Sequence, residues 1–426
     1  SANTIVDHIE AFENYSKNHI WLYSNLGDFS NKLDLNKFDV IIVHYSLFIL
    51  SRRYLTDAAK KKLRDYTGLK VIFIQDEYRQ INTMVDTLAY LKMDVLFTCF
   101  PESEFEAIYP SKKLPKLTKY NNLTGYVPKR LTEYTHQPPI AERSLHVGYR
   151  GRQLPYWYGA LGYEKYQIVE KWHQHVSRQC LNTDISARET DRIYGEHWID
   201  FLSSCKTTLG VESGASVMDF TGKLEKKVDF YQLLHPNASF EDVQEKYFIH
   251  QENKHQLNQI SPRCFEAIAL KTVLVLYEGE YSGILMPGRH YIALKKDFSN
   301  ISDVLACIKD DAFLQNMADI TYQEIALNPE YSEQVFIQKV DAIIQKEFTA
   351  RDKIAISSSY QPDLFQAHTQ SKTLYNRVLR KMILSYQRLP FRIRQFIRGV
   401  LLPQQALKQI LKGFVFFMDF FRRKTE

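Results

Sequence analysis

The sequence predicts an α/β protein of two Rossmann-like units followed by a basic helical tail. Three observations carry that expectation. A chain of 426 residues is longer than one typical core organises, so two domains are expected. Short apolar runs such as Phe38–His44 (FDVIIVH) and Thr272–Leu276 (TVLVL) alternate with amphipathic stretches, the pattern of parallel strands covered on both faces. Charge is divided unevenly: thirteen Lys and Arg against Asp419 and Glu426 place +11 on Ser371–Glu426, leaving −5 on the rest of a chain of net charge +6.

Taken in order, Asn3–Ser16 reads as an amphipathic helix and His19–Tyr23 as a short strand. Phe38–His44 is a buried strand, Leu55–Tyr66 a helix, Lys70–Ile74 a strand, Ile81–Leu91 a helix and Asp94–Thr98 a strand. In parallel sheets ligands bind beyond the carboxyl ends of strands. Those ends carry His44-Tyr45-Ser46 and Gln75-Asp76-Glu77-Tyr78-Arg79. Pro110–Glu142, with five prolines, reads as the connection to a second unit that opens at Leu145 and runs to about Phe348. The expected divisions are 1–141, 142–350 and 351–426.

Five cysteines (Cys99, Cys180, Cys205, Cys264, Cys307) without a CxxC argue against a disulfide framework and for a reducing compartment. No run of about 18 apolar residues is present to cross a bilayer. His173 and His175 sit two apart, on different faces of a helix, so no metal site is expected. No cofactor is expected either.

Three blocks carry candidate chemistry. Gly148–Lys165 (GYRGRQLPYWYGALGYEK) follows a strand; its glycines permit close backbone approach, and Arg150, Arg152 and Lys165 can neutralise a phosphate. A Gly-rich turn with solvated cations is the plainer reading. Thr207–Gly222 (TTLGVESGASVMDFTG) places Glu212 and Asp219 on either side of a small-residue turn, Ser213-Gly214-Ala215-Ser216, whose N–H groups suit an anion. Two such carboxylates can serve as nucleophile and acid/base; alternatively Glu212 caps a helix and Asp219 is a solvated turn residue. Ser261–Asp297 opens with Ser261 as N-cap and Pro262 at the first helical position. That helix start offers a phosphate free N–H groups and a positive dipole end, with Glu266 one turn in and able to accept ribose hydroxyls. An ordinary helix–strand unit is the rival here.

The Glu266-Ala267-Ile268-Ala269 block resembles the donor-nucleotide half of GT-B glycosyltransferases, although Asn258 stands where many relatives carry a second Glu. With YRGRQLPYWYG, LGVESGASVMDF and SPRCFEAIALKTVLVLYEGEYSG in that order, and HYS and QDEYR before them, the chain is similar to the retaining β-Kdo transferases of bacterial polysaccharide assembly. The likeness spans roughly Phe38 to Asn300.

The resemblance implies a two-lobed transferase using CMP-Kdo, with Asp219 as nucleophile and with Glu212 or the Asp76–Glu77 pair activating the acceptor. It also implies a donor site built from Arg150, Arg152, Lys165, Ser213, Gly214, Ser216, Ser261, Arg263, Glu266, Tyr281, Ser282 and Gly283. An acceptor site would hold His44, Tyr45, Tyr78 and Arg79. A retaining route through a glycosyl intermediate follows the logic of retaining glycosidases. The rivals are a UDP- or GDP-sugar transferase without a covalent intermediate, and a non-catalytic glycan-binding or scaffold protein of this fold.

In the tail, Leu374–Leu389, Phe391–Leu401 and FVFFMDFF at Phe414–Phe421 mix apolar and cationic residues. Such helices fit an anionic membrane surface, which would bring the enzyme to a lipid-linked acceptor; alternatively they pack back onto the body or onto a further domain. The expected place is the cytoplasm, peripheral on the inner face of the membrane. No nucleic-acid partner is expected, because no recognised module accompanies the charge.

Overall fold

A computed structural model describes residues 3–351 and 353, apart from 136 and 177–180. The expectations for Cys180 and for the tail from Ser371 onward fall outside the described residues.

The first sheet holds β1 (Val40–Val43), β2 (Leu69–Phe73), β3 (Val95–Thr98) and β4 (Thr118–Asn121), all parallel and in that order. β2 and β3 are buried along their whole length, which accounts for their unbroken apolar sequences. Strand alternation sends Leu69, Val71 and Phe73 to one face, where they meet Ala11 and Phe12 of α1 (Asn3–Tyr15). On the other face Ile72 and Leu96 meet Leu63 of α2 (Asp57–Asp65) and Leu88 of α3 (Ile81–Leu91).

The second sheet holds β5 (Leu145–Arg150), β6 (Thr183–Ser186), β7 (Cys205–Gly210), β8 (Val273–Tyr277) and β9 (Tyr291–Leu294), again all parallel, in the order β9-β8-β7-β5-β6. Its central strands are covered on one face by α4 (Gly159–His175) and on the other by α5 (Glu196–Ser203) and by α6 (Pro262–Ala269). The two-sheet α/β architecture read from the sequence is present.

Three local expectations are corrected. His19–Tyr23 forms no strand; the chain just before it is instead tied to Asp341, which accepts hydrogen bonds from the Ser16 hydroxyl (2.8 Å), the Lys17 N–H (2.7 Å) and the Asn18 amide (2.9 Å). Inside the proline-rich connection Thr118–Asn121 adds a fourth strand; it is a half-exposed edge, so its polar sequence hid it. The helix Glu333–Ala350 leaves the second sheet and packs through Phe336, Ile337, Val340 and Ile344 on the first, so the chain crosses back well before residue 351.

A two-residue antiparallel pairing, Ser213–Gly214 with Asn258–Gln259, brackets a helical insertion that packs into the first unit through Val217, Met218, Val228 and Phe240. Gly214 has φ +115°, and a Cβ there would collide with the Leu257 carbonyl, so only glycine allows this approach.

Candidate active site

The carboxyl ends of β2 and β3 face those of β5 and β7 across a cleft with a cavity of about 310 Å3. This is where open parallel sheets place their ligands. The first unit contributes Gln75, Asp76, Tyr78, Cys99 and Thr124. The second contributes Arg152 and Leu154 after β5, Lys165 of α4, Ser213–Gly214 after β7, Arg192 and Trp198, and Ser261–Cys264 at the start of α6.

The electrostatics are one-sided. Arg152, Lys165, Arg192 and Arg263 line the wall of the second unit, and Asp76 stands opposite them. Arg192 is ion-paired to Glu189 at 3.1 Å, whereas Arg152 has no ion pair among the described residues. Burial and the neighbouring Arg263 lower the Lys165 ammonium to about 8. An anion entering the cleft relieves that penalty. Anion binding in the cleft is therefore expected to weaken as pH rises through about 8, when the empty site loses its Lys165 charge; Lys165→Arg should flatten the dependence, read by titrating nucleotide binding at pH 6.5 to 9.5.

Arg263 is held from two sides. It donates to the carbonyl of Arg150, and its guanidinium lies 5.1 Å from the centre of the Trp198 ring. The Trp198 indole in turn donates to Glu266 at 2.7 Å, fixing the plane on which Arg263 rests. Asp76 occupies left-handed backbone space at φ +58°, an uncommon conformation for a residue with a side chain. It projects from the end of β2 into the cleft, while the next residue turns away.

That next residue is Glu77, expected with Asp76 to activate the acceptor. It is fully buried and accepts from the Cys99 N–H at 2.7 Å and from the Thr98 and Tyr109 hydroxyls, while burial raises its carboxyl to about 7. It ties β2 to β3 beneath Asp76.

Asp219, the expected nucleophile, sits at a helix start. Its side chain does not line the cavity; one oxygen accepts from the N–H of Gly222 (2.8 Å) and Thr221 (3.2 Å), the other from the N–H of Glu225 (2.9 Å). Its backbone pairs with Tyr78 and Arg79 of the first unit, so the carboxylate caps the helix Lys223–Leu234 and joins the units. Asp219→Ala leaves buried N–H groups without an acceptor and is expected to cost about 1–3 kcal/mol of stability. Turnover per folded molecule should stay within a few-fold of wild type, as measured by denaturant midpoints beside specific activity. Abolished turnover at an unchanged midpoint would reinstate Asp219 as the reacting carboxylate.

Glu212 is likewise spent on structure. It accepts from the N–H of Glu280 (3.0 Å) and Tyr281 (2.9 Å) and from the Asn258 amide (3.1 Å), holding the loop after β8. Tyr281, Ser282 and Gly283 belong to that loop and do not line the cavity: the Tyr281 hydroxyl donates to Tyr277, and the Ser282 hydroxyl joins Ile260 to Gln259. Ser216 accepts from the Leu161 N–H at 3.1 Å and secures the start of α4. Arg150 points to the sheet edge, donating to Asp184 at 2.6 Å and lying over Phe201.

Glu266, expected to hold the ribose, accepts from the Trp198 indole on one side and the Thr4 hydroxyl on the other, and lines a small second pocket rather than the large cavity.

Of the expected acceptor contacts only Tyr78 reaches the cavity, and its hydroxyl donates to that of Tyr158 across the units at 3.1 Å. His44 is 2.9 Å from His8 and lies against the tilted Tyr45 ring, and burial lowers it to about 4. Arg79 is ion-paired to Glu225 at 2.8 Å. Residues the sequence reading passed over are Arg192, Trp198 and Tyr158. Arg192 and Trp198 flank the lone Gly195 in a stretch with no glycine-rich block, and Tyr158 sits inside the YRGRQLPYWYG block without an assigned role.

No protein-family model and no curated protein matches the chain. Among solved structures it overlaps an α-glucosyltransferase in complex with UDP and a 13-mer DNA containing an HMU base, at 12% identity over 73% of this chain and 81% of that one, TM-score 0.45. A DNA-modifying β-glucosyltransferase overlaps at 15% identity, over 82% and 92% of the two chains, TM-score 0.41. Anabaena HepE in complex with UDP overlaps at 11% identity, over 73% and 79%, TM-score 0.37. Overlap at this level assigns no activity to the chain.

Proposed function

We propose that the chain is a glycosyltransferase that binds a nucleotide-activated sugar against the second unit and an acceptor hydroxyl against the first. The observation that carries the reading is the cleft itself: a cationic wall of Arg152, Lys165, Arg192 and Arg263 facing Asp76, the one carboxylate among the described residues that line it. The cations neutralise the donor phosphate and the leaving nucleotide, which is where charge develops as the glycosidic bond breaks. Asp76 takes the proton of the attacking hydroxyl as general base.

The motif likeness to β-Kdo transferases supports CMP-Kdo as donor, and a wall with four cations suits a sugar that brings a carboxylate as well as a phosphodiester. A covalent route through Asp219 is not part of this proposal, since that carboxylate is committed to the helix cap. The acceptor is a growing surface glycan, reached on the inner face of the membrane with the help of the basic tail.

The test is a thermal-shift panel of CMP, UDP and GDP followed by donor turnover. A ligand that binds only the folded state raises its melting temperature, so CMP should shift it most. A larger shift with UDP or GDP would replace the donor. No donor hydrolysis and no transfer with any of the three would leave a glycan-binding protein of this fold.

A further inference from the structure

The helix Lys223–Leu234 carries a face that nothing in the donor chemistry uses. Leu234 and Phe230, exposed to 59% and 54%, are the two most exposed large hydrophobic side chains among the described residues, and they lie one helical turn apart. Lys223, Lys226 and Lys227 share their side: at 3.6 residues per turn all five fall within an arc of about 100°. The acidic residues of the same helix point elsewhere, Glu225 being turned to Arg79 at 2.8 Å and Asp229 falling outside that arc. The opposite face is anchored in the core by Leu224 and Val228, so this is a rigid platform rather than a frayed end.

Cations at the start of a helix and bare apolar side chains at its end fit an interface that is negatively charged at its surface and apolar just beneath. We infer that this face docks on an anionic lipid surface, with Phe230 and Leu234 entering the headgroup boundary and the three lysines paired to phosphates. It is a separate element from the tail, and the inference stands whether or not the donor is CMP-Kdo. The helix begins four residues after Asp219, whose backbone pairs with Arg79, so the docked face is coupled to the segment that carries Asp76. Docking would set the mouth of the cleft beside a lipid-linked substrate.

The test is hydrogen–deuterium exchange on the full chain with phosphatidylglycerol-containing vesicles and with pure phosphatidylcholine vesicles, read on peptides covering residues 223–234. Local readout separates this face from any contribution of the tail. Exchange should slow about tenfold with the anionic vesicles only. Phe230→Ser/Leu234→Ser and Lys223→Glu/Lys226→Glu/Lys227→Glu should each abolish that protection while the melting temperature stays unchanged. Unaltered exchange with anionic vesicles, or equal protection by neutral ones, would overturn the inference. Protection that rises with protein concentration in the absence of lipid would also overturn it, in favour of a second copy of the chain.

Discussion

Asp76→Asn is expected to lower sugar transfer by about a hundred- to ten-thousand-fold while nucleotide binding changes less than about threefold. The amide keeps the size and the left-handed backbone, since Asn adopts φ +58° as readily as Asp, but it cannot take a proton. A fall in turnover at constant nucleotide affinity separates proton transfer from binding. The companion is Glu77→Gln, which keeps the shape of the buried network under Asp76 and should retain most of the activity. Full activity in Asp76→Asn would remove the general base from the account.

Arg263→Ala should weaken CMP binding by about ten- to a hundred-fold, the range of a lost charge-assisted hydrogen bond. Arg263 is pre-positioned: the Arg150 carbonyl and the Trp198 ring hold the guanidinium before the ligand arrives. Lysine should restore the charge without the position, because an ammonium cannot both donate sideways to the carbonyl and lie flat on the indole. Only partial rescue by Arg263→Lys is therefore expected in isothermal titration. Trp198→Leu should mimic part of the loss by removing the plane on which the guanidinium rests.

The strands that were legible in the sequence are those buried on both faces. Leu69–Phe73, Val95–Thr98 and Val273–Tyr277 are buried throughout and advertise themselves as apolar runs. Thr118–Asn121 did not, because an edge strand needs no apolar face toward solvent. The return of Glu333–Ala350 to the first sheet was equally silent: its apolar stripe says that it packs, not on which unit.

The site was legible at the level of blocks and not of side chains. Every block singled out for chemistry except the His44–Ser46 strand end reaches the cleft with at least one residue, but neighbours diverge. Asp76 enters the cavity and Glu77 the core, a divergence set by the left-handed backbone of Asp76 beyond the end of β2, which sequence periodicity does not reveal. The small-residue turn at Ser213–Ser216 looked like an anion nest, and Ser213 and Gly214 do face the cavity. The carboxylates on either side, Glu212 and Asp219, instead satisfy backbone N–H groups of their own surroundings. A carboxylate near exposed N–H groups reads the same in sequence whether it will react or cap.

The most direct check is a crystal structure of the full chain soaked with CMP at saturating concentration. Density in the interlobe cleft, with the phosphate within hydrogen-bonding reach of Arg263 and Lys165 and open space toward Asp76, is the expected result. A nucleotide bound elsewhere, or an empty cleft at saturation, would contradict it.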